Sequence, residues 1–133
     1  MLKTTSKKIN SEHLVFYQSC KSIDLSGKSL STILDFILTN SQSNLNSYWL
    51  GRIDYSEAWK LQKVIQENVI NKKINDVILF LEHDSVYTLG KNADLNNLLP
   101  ARPKDIDVIQ TDRGGEITYH GPGQLVGYPI IDL

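Results

Sequence analysis

The sequence predicts an α+β domain, a mixed β-sheet with flanking helices, and three observations carry that expectation. Strand-like apolar runs outnumber helical stretches in the second half of the chain, hairpin-like turns join several of them, and one amphipathic helix is available to cover a sheet face. With 133 residues, 41% of them hydrophobic, the chain can bury a core of ordinary single-domain size.

The elements follow in order along the chain. MLKTTSKKINSEH, the first thirteen residues, has lysines and hydroxyls but no arginine, and lacks the apolar core and small-residue cleavage site of a secretory signal, so it reads as a bland tail in preference to a weak organelle-targeting leader. In residues 28–40, KSLSTILDFILTN, apolar side chains at Leu30, Ile33, Leu34, Ile37 and Leu38 form one helical stripe. NSQSNLNS, residues 40–47, is polar and aperiodic and reads as a linker. Residues 1–47 are therefore expected to be an extension, and 48–133 the main domain. Tyr48–Leu50 is a short strand, after which Asp54 and Glu57 resemble a capping box at a helix start. Ala58, Leu61, Ile65 and Val69 fall on one face of that helix, and Asn71 marks its end.

VILFL, residues 77–81, is too short for an independent helix and predicts a strand covered on both faces. EHDS turns the chain into a second strand, VYTLG, which stops at Gly90. The connection KNADLNNLLPARPKDI resists regular structure through its Asn, Asp and proline content, and connections of that length often cover binding sites. DVIQT, residues 107–111, is a third strand, and Gln124–Leu133 reads as a last one with an apolar end.

Composition narrows the function classes. Fourteen Lys and Arg against fifteen Asp and Glu give a formal charge of −1, so nucleic acid and acidic membranes are not expected partners. The single cysteine, Cys20, excludes an intrachain disulfide framework and favours a reducing compartment. No apolar run is long enough to cross a bilayer, since Leu30–Leu38 is interrupted by Ser31, Thr32 and Asp35. The expected location is the cytoplasm, with a mitochondrial or plastid matrix as the alternative.

Several familiar chemistries are missing from the sequence. GKS at Gly27–Ser29 lacks the first glycine of a phosphate loop, because Ser22 stands in its place. Gly121–Gly123 lacks the third glycine of a dinucleotide fingerprint, where Val126 stands, and no G-x-S-x-G elbow occurs. His13, His83 and His120 are too scattered, without Cys/His pairs, to suggest zinc, so metal catalysis has no support in the sequence.

RGGEITYHGPGQLVGY, residues 113–128, instead concentrates five of the eight glycines with an arginine and a histidine. Gly114 and Gly115 permit positive φ and close backbone approach, and Arg113 brings a permanent charge with five donors. The pattern fits a cradle for a carbonyl, carboxylate or phosphate oxygen and a glycine-rich hairpin with a surface arginine equally well. His120 can move a proton near neutral pH, among the polar groups of Thr118, Tyr119 and Gln124. Glu82 and His83 form a weaker pair at a strand end, which a solvated turn would also explain.

On these residues the chain resembles a known family. RGGEITYHGPGQLVGYP is similar to the signature of the lipoyl(octanoyl) transferases, called LipB: R-G-G, two residues, Thr, an aromatic, His, then G-P-G-Q. LEHDSVYTLG resembles the family's upstream strand-turn-strand segment, with Asp84 and Ser85 where proline is usual, and LGRIDYSEAWKLQ resembles its first strand and helix. The resemblance runs from about Tyr48 to Leu133.

It implies a catalytic domain like that of the biotin and lipoate protein ligases, apparently truncated. It implies an octanoyltransferase that takes octanoyl from octanoyl-acyl carrier protein, holds it on a cysteine and passes it to a lysine of lipoyl domains, in 2-oxoacid dehydrogenases and glycine cleavage H protein, without a cofactor. By position, Arg113, Gly114, Gly115, Glu116, Ile117, Thr118, Tyr119 and His120 inherit the substrate-binding role. The family's nucleophilic cysteine and the lysine that lowers its pKa are expected after Leu133, so no catalytic residue is assigned within the chain and the polypeptide alone is expected to be inactive. Cys20 matches no family motif and is read as incidental. An ATP-dependent lipoate or biotin ligase, and a non-catalytic acyl or lipoyl-domain binding fragment, are the alternatives.

Overall fold

The computed structural model describes residues 22–133, so Cys20 and His13 lie outside the described residues. Ten elements follow in order: β1 (Ile23–Asp24), α1 (Leu30–Asn40), β2 (Leu45–Arg52), α2 (Tyr55–Ile70), β3 (Asp76–Glu82), β4 (Val86–Leu89), a 3-10 turn (Leu95–Asn97), β5 (Asp107–Gln110), β6 (Ile117–His120) and β7 (Val126–Ile130). The strands form two sheets, of order β1-β2-β3-β7 and β5-β4-β6. Both sheets mix parallel with antiparallel pairs, and two helices accompany them, so the expected α+β class holds.

The helices form where local sequence demands them. Gly27 turns the chain at φ +77°, and the Ser29 hydroxyl caps α1 by accepting from the amide of Thr32. The GKS tripeptide is therefore a helix start. Ile33 and Ile37 of α1 are fully buried. In α2 the Asp54 carboxylate accepts from the amides of Ser56 and Glu57, at 3.0 and 3.2 Å. Ala58, Leu61, Ile65 and Val69 face the core as their spacing predicted, and Asn71 closes the helix.

Two departures from the sequence reading concern pairing. NSQSNLNS is not a free linker, because Leu45–Ser47 already belong to β2 and Asn46 is buried. Its side-chain amide donates to the carbonyls of Ser43 and Asp76, which satisfies a polar group that would otherwise be costly inside. The Tyr48 hydroxyl bonds Ser41 Oγ at 2.7 Å, and Ser41 Oγ donates to the Ile37 carbonyl, so the end of α1 is tied to β2. Burial raises the Tyr48 pKa above its ordinary value. Leu25 and α1 thus share one core with α2, β2 and β3.

The second departure is that EHDS does not close a hairpin. β3 pairs with β2 in parallel across α2 and with β7 antiparallel, while β4 leaves for the other sheet, between β5 and β6. Alternation along β3 puts Val77, Leu79 and Leu81 into the core under the helices. On the opposite face Ile78 is buried and Phe80 only half-buried, so cover there is partial. The last strand ends at Ile130, short of the expected Leu133, with Ile131–Leu133 exposed.

Gly51 holds a register shift in β2 at φ +72°, and a Cβ there would stand 2.9 Å from Ser26 Cβ. Gly51→Ala is expected to destabilise the fold by about 1–3 kcal/mol, from backbone strain plus crowding. Chemical denaturation checks this through the midpoint at constant m-value.

Candidate functional site

The glycine-rich segment begins by wrapping the end of β4. Lys91 N donates to Arg113 O at 2.9 Å, and a Cβ on Gly90 would overlap the carbonyl oxygen of Gly115. Two backbones cross here with no side chain between them, so the glycine that ends VYTLG is needed for contact. Gly115 itself sits at φ +96°, a conformation open to glycine at little cost. Gly114 adopts no positive φ and has open space at its Cβ position.

Arg113 is half-buried and turns back on β4. Its Nη2 donates to the Thr88 carbonyl at 3.0 Å and to Thr88 Oγ1 at 2.7 Å, and Nη1 donates to the Gly114 carbonyl at 3.1 Å. Three of the five donors are thus spent on the loop, leaving Nε and one Nη1 hydrogen for a ligand. Thr88, fully buried, makes this the fixed end of the arrangement. Glu116 faces the other way: its carboxylate accepts from Asp94 N at 3.2 Å and Asn97 Nδ2 at 3.5 Å, tethering the long 91–106 connection.

Beyond Glu116 the segment becomes β6 and pairs residue for residue with β4: Ile117 with Leu89, Thr118 with Thr88, Tyr119 with Tyr87, His120 with Val86. Opposed residues of an antiparallel pair share a face, and neighbours along a strand alternate. Thr118 and His120 therefore lie on the face where Arg113 meets Thr88. Ile117 and Tyr119 lie on the reverse. There the Tyr119 ring packs against Tyr87 at 5.4 Å, its hydroxyl bonds Ser85 Oγ at 3.0 Å, and it rests against Gly121. Of the eight residues singled out in the sequence, the first four form the loop and the last four are split between two faces of one sheet.

His120 ends β6, and its Nδ1 bonds Gln124 Oε1 at 2.9 Å. An amide oxygen accepts, so Nδ1 carries the hydrogen and Nε2 is left to accept or carry a proton. Tyr55, first residue of α2, stacks near-parallel on this ring at 6.2 Å. The Gly121–Gly123 turn that follows is held by Gly123 N donating to the Glu82 carboxylate at 3.1 Å.

His83 is the chief surprise. A solvated turn was one account of it, yet the side chain is fully buried, with its ring 5.8 Å from His120 and 5.0 Å from Tyr55. Histidines too scattered in sequence to suggest a site are neighbours in space. Nδ1 donates to the Ile53 carbonyl at 2.9 Å, which leaves Nε2 as the acceptor for the Tyr128 hydroxyl at 2.6 Å. Burial pushes the His83 pKa below its ordinary value, aided by the nearby His120, against the opposing Ile53 hydrogen bond. Burial likewise raises both tyrosines, strongly for Tyr128; at Tyr55 the Arg113 charge works against burial. The sequence reading passed over Tyr55, Thr88 and Tyr128, and no local spacing could have found them, because each joins the site through tertiary packing. No group of three His, Cys, Asp or Glu among the described residues could hold a metal ion. A groove of about 290 Å³ between α2 and β7 is lined by Gln62, Gln66, Val69 and Ile130 among others. No helix of the described residues is long and apolar enough to cross a membrane.

The architecture defines the class first: a mixed two-sheet α+β domain whose glycine-rich loop and adjoining strand present an arginine, a threonine and a histidine on one face. A model of the lipoyl protein ligase A/B catalytic domain matches residues 54–133, and the chain belongs to that family. It is 47% identical over 97 residues to an octanoyltransferase of Salinispora arenicola, covering 72% of this chain and 44% of that protein. It is 56% identical over 86 residues to an octanoyltransferase of Mycolicibacterium gilvum, covering 64% and 34%. For the octanoyltransferase of Flavobacterium johnsoniae the identity is 42% over 99 residues, covering 63% and 43%. The chain thus spans less than half the length of these relatives, and the resemblance read from RGGEITYHGPGQ stands.

The buried His83 makes stability depend on pH. In the unfolded chain the imidazole binds a proton near its ordinary value of 6.5, while the folded state resists protonation until lower pH. Unfolded protein therefore holds more protons below that value, and stability must fall as pH drops through it. His83→Gln is expected to flatten this loss, as measured by denaturation midpoints at pH values either side of 6.5.

Proposed function

We propose that the full protein is an octanoyltransferase of protein lipoylation. In this reading octanoyl-acyl carrier protein is the donor, and a lysine of lipoyl domains, in 2-oxoacid dehydrogenases and glycine cleavage H protein, is the acceptor. The observation that carries it is the placement of Arg113, Thr118 and His120 on one face of the β4–β6 pair, within residues 54–133 matched by the family model, in a chain whose relatives bear the name octanoyltransferase.

The chemistry suits these groups. A cysteine thiolate attacks the donor thioester, the carrier thiol leaves, and the acyl group changes sulfur at little cost in bond energy. The acceptor amine then attacks the acyl-cysteine, an amide forms, and the cysteine sulfur is released; this second step runs downhill. Nucleophile and pKa-lowering lysine belong, in this proposal, to the part of the relatives that the chain does not span. The residues present bind and orient. The free donors of Arg113 polarise the thioester carbonyl, with exposed amides of Gly114 and Gly115 beside it. Gly115 keeps the loop thin enough for an acyl chain to pass. Thr118 and His120 line the face, and the free Nε2 of His120 takes or returns the amine proton. Ile117 and Tyr119 support the strand from behind, and Glu116 holds the 91–106 connection against it.

The family also contains ligases, so dependence on nucleotide decides between the two chemistries. Full-length protein with octanoyl-acyl carrier protein and a lipoyl domain is expected to form the octanoyl amide without ATP, seen as a mass increase on the lipoyl domain. Formation only when ATP and free octanoate are supplied would replace the transferase by a ligase. Carrier binding without any turnover would favour a binding module.

A further inference from the structure

His83 touches none of the groups assigned to the acyl site except the His120 ring, yet it occupies the place where three separate pieces of chain converge. Ile53 supplies a carbonyl from the corner between β2 and α2, Tyr55 a ring from the first turn of α2, Tyr128 a hydroxyl from β7, and His120 a ring from β6. Both nitrogens are used, and the two partners differ in kind. A carbonyl only accepts, so the hydrogen sits on Nδ1. A hydroxyl can donate, so Nε2 receives it. This pairing fixes the tautomer and leaves the ring one orientation in a fully buried site.

The consequence passes to His120. Its ring meets His83 nearly edge to face at 5.8 Å, with 69° between planes, and lies almost parallel to Tyr55, at 18°. Among the described residues its only side-chain hydrogen bond is to Gln124, itself exposed. A solvent-facing amide holds one atom of the ring, whereas the two buried-side rings restrain its plane. We propose that His83, pinned between the Ile53 carbonyl and the Tyr128 hydroxyl, is a positioning residue that sets the plane of the His120 imidazole in the acyl site.

The proposal rests on the reading of His120 as part of that site, and its test separates the two. Tyr128→Phe removes one oxygen and no ring, freeing His83 Nε2 while keeping the packing. Tyr48→Phe is the control: it removes another tyrosine hydroxyl of the same sheet, the buried one bonded to Ser41 at the end of α1. In full-length protein labelled at histidine nitrogen and carbon, Tyr128→Phe is expected to displace the His83 and His120 ring resonances and to lower kcat for octanoyl transfer roughly fivefold with KM little changed, the scale of one lost hydrogen bond. Tyr48→Phe is expected to move neither, though both variants lose stability. His83→Gln provides a second perturbation at the same place.

If folded Tyr128→Phe and His83→Gln both leave the His120 ring resonances where wild type has them, the proposal is overturned. Equal displacement by Tyr48→Phe would overturn it as well, since the effect would then be general loosening. If the His120 resonances move as expected but His120→Ala transfers octanoyl at the wild-type rate, the positioning is upheld and the acyl-site reading beneath it is lost.

Discussion

A fully buried imidazole has to pair both ring nitrogens, and that requirement organises this structure. His83 meets it with a carbonyl from the β2–α2 corner and a hydroxyl from β7, so the end of β3 is bound to two elements on either side of it. Leaving either partner unpaired would cost about 1–3 kcal/mol, a substantial part of an ordinary domain's stability. The large sheet and the start of α2 are thereby fixed relative to each other at the point where the chain departs for the small sheet. Tyr55 and His120 then pack on the same ring, which brings β6 to the same corner.

A second constraint acts on backbone alone. Gly90 and the Gly115 carbonyl lie in contact, so the glycine-rich loop cannot drift from the end of β4. With that crossing set, Arg113 folds onto Thr88, and the β4–β6 register decides which side chains face together. Sequence adjacency then becomes misleading. Thr118 and His120 are one residue apart from Tyr119 on either side, yet the pleat sends Tyr119 to the other face with Tyr87 and Ser85. A contiguous family signature is thus divided between two faces of one strand.

What was legible in the sequence follows from range. Helix α2 could be read from its Asp54 cap to Asn71, and β3 could be located from its apolar run though not its core face, because propensity, capping and periodicity are local. The β1–α1 segment looked separable because a polar stretch followed it. What joins it to the core is the buried amide of Asn46 and the Ser41–Tyr48 hydroxyl pair, and neither leaves a periodic trace. Strand partners were the least visible part. EHDS has hairpin composition, but β3 finds β2 and β7 instead, and pairing over such separations is set by burial across the whole sheet. The glycine-rich loop announced itself, and His120 with it. The burial of His83 and its contact with His120 depend on the fold and could not be read from spacing.

The central claim is that one face of the β4–β6 pair, and not the signature as a whole, meets the acyl thioester. A hydrolysis-resistant octanoyl-pantetheine amide, titrated into isotope-labelled full-length protein, tests this residue by residue. The account predicts resonance changes at Thr88, Arg113, Thr118 and His120, with Tyr87, Ile117 and Tyr119 left close to their free positions. Changes concentrated on Tyr87, Ile117 and Tyr119 would contradict it and place the ligand on the opposite face of the sheet.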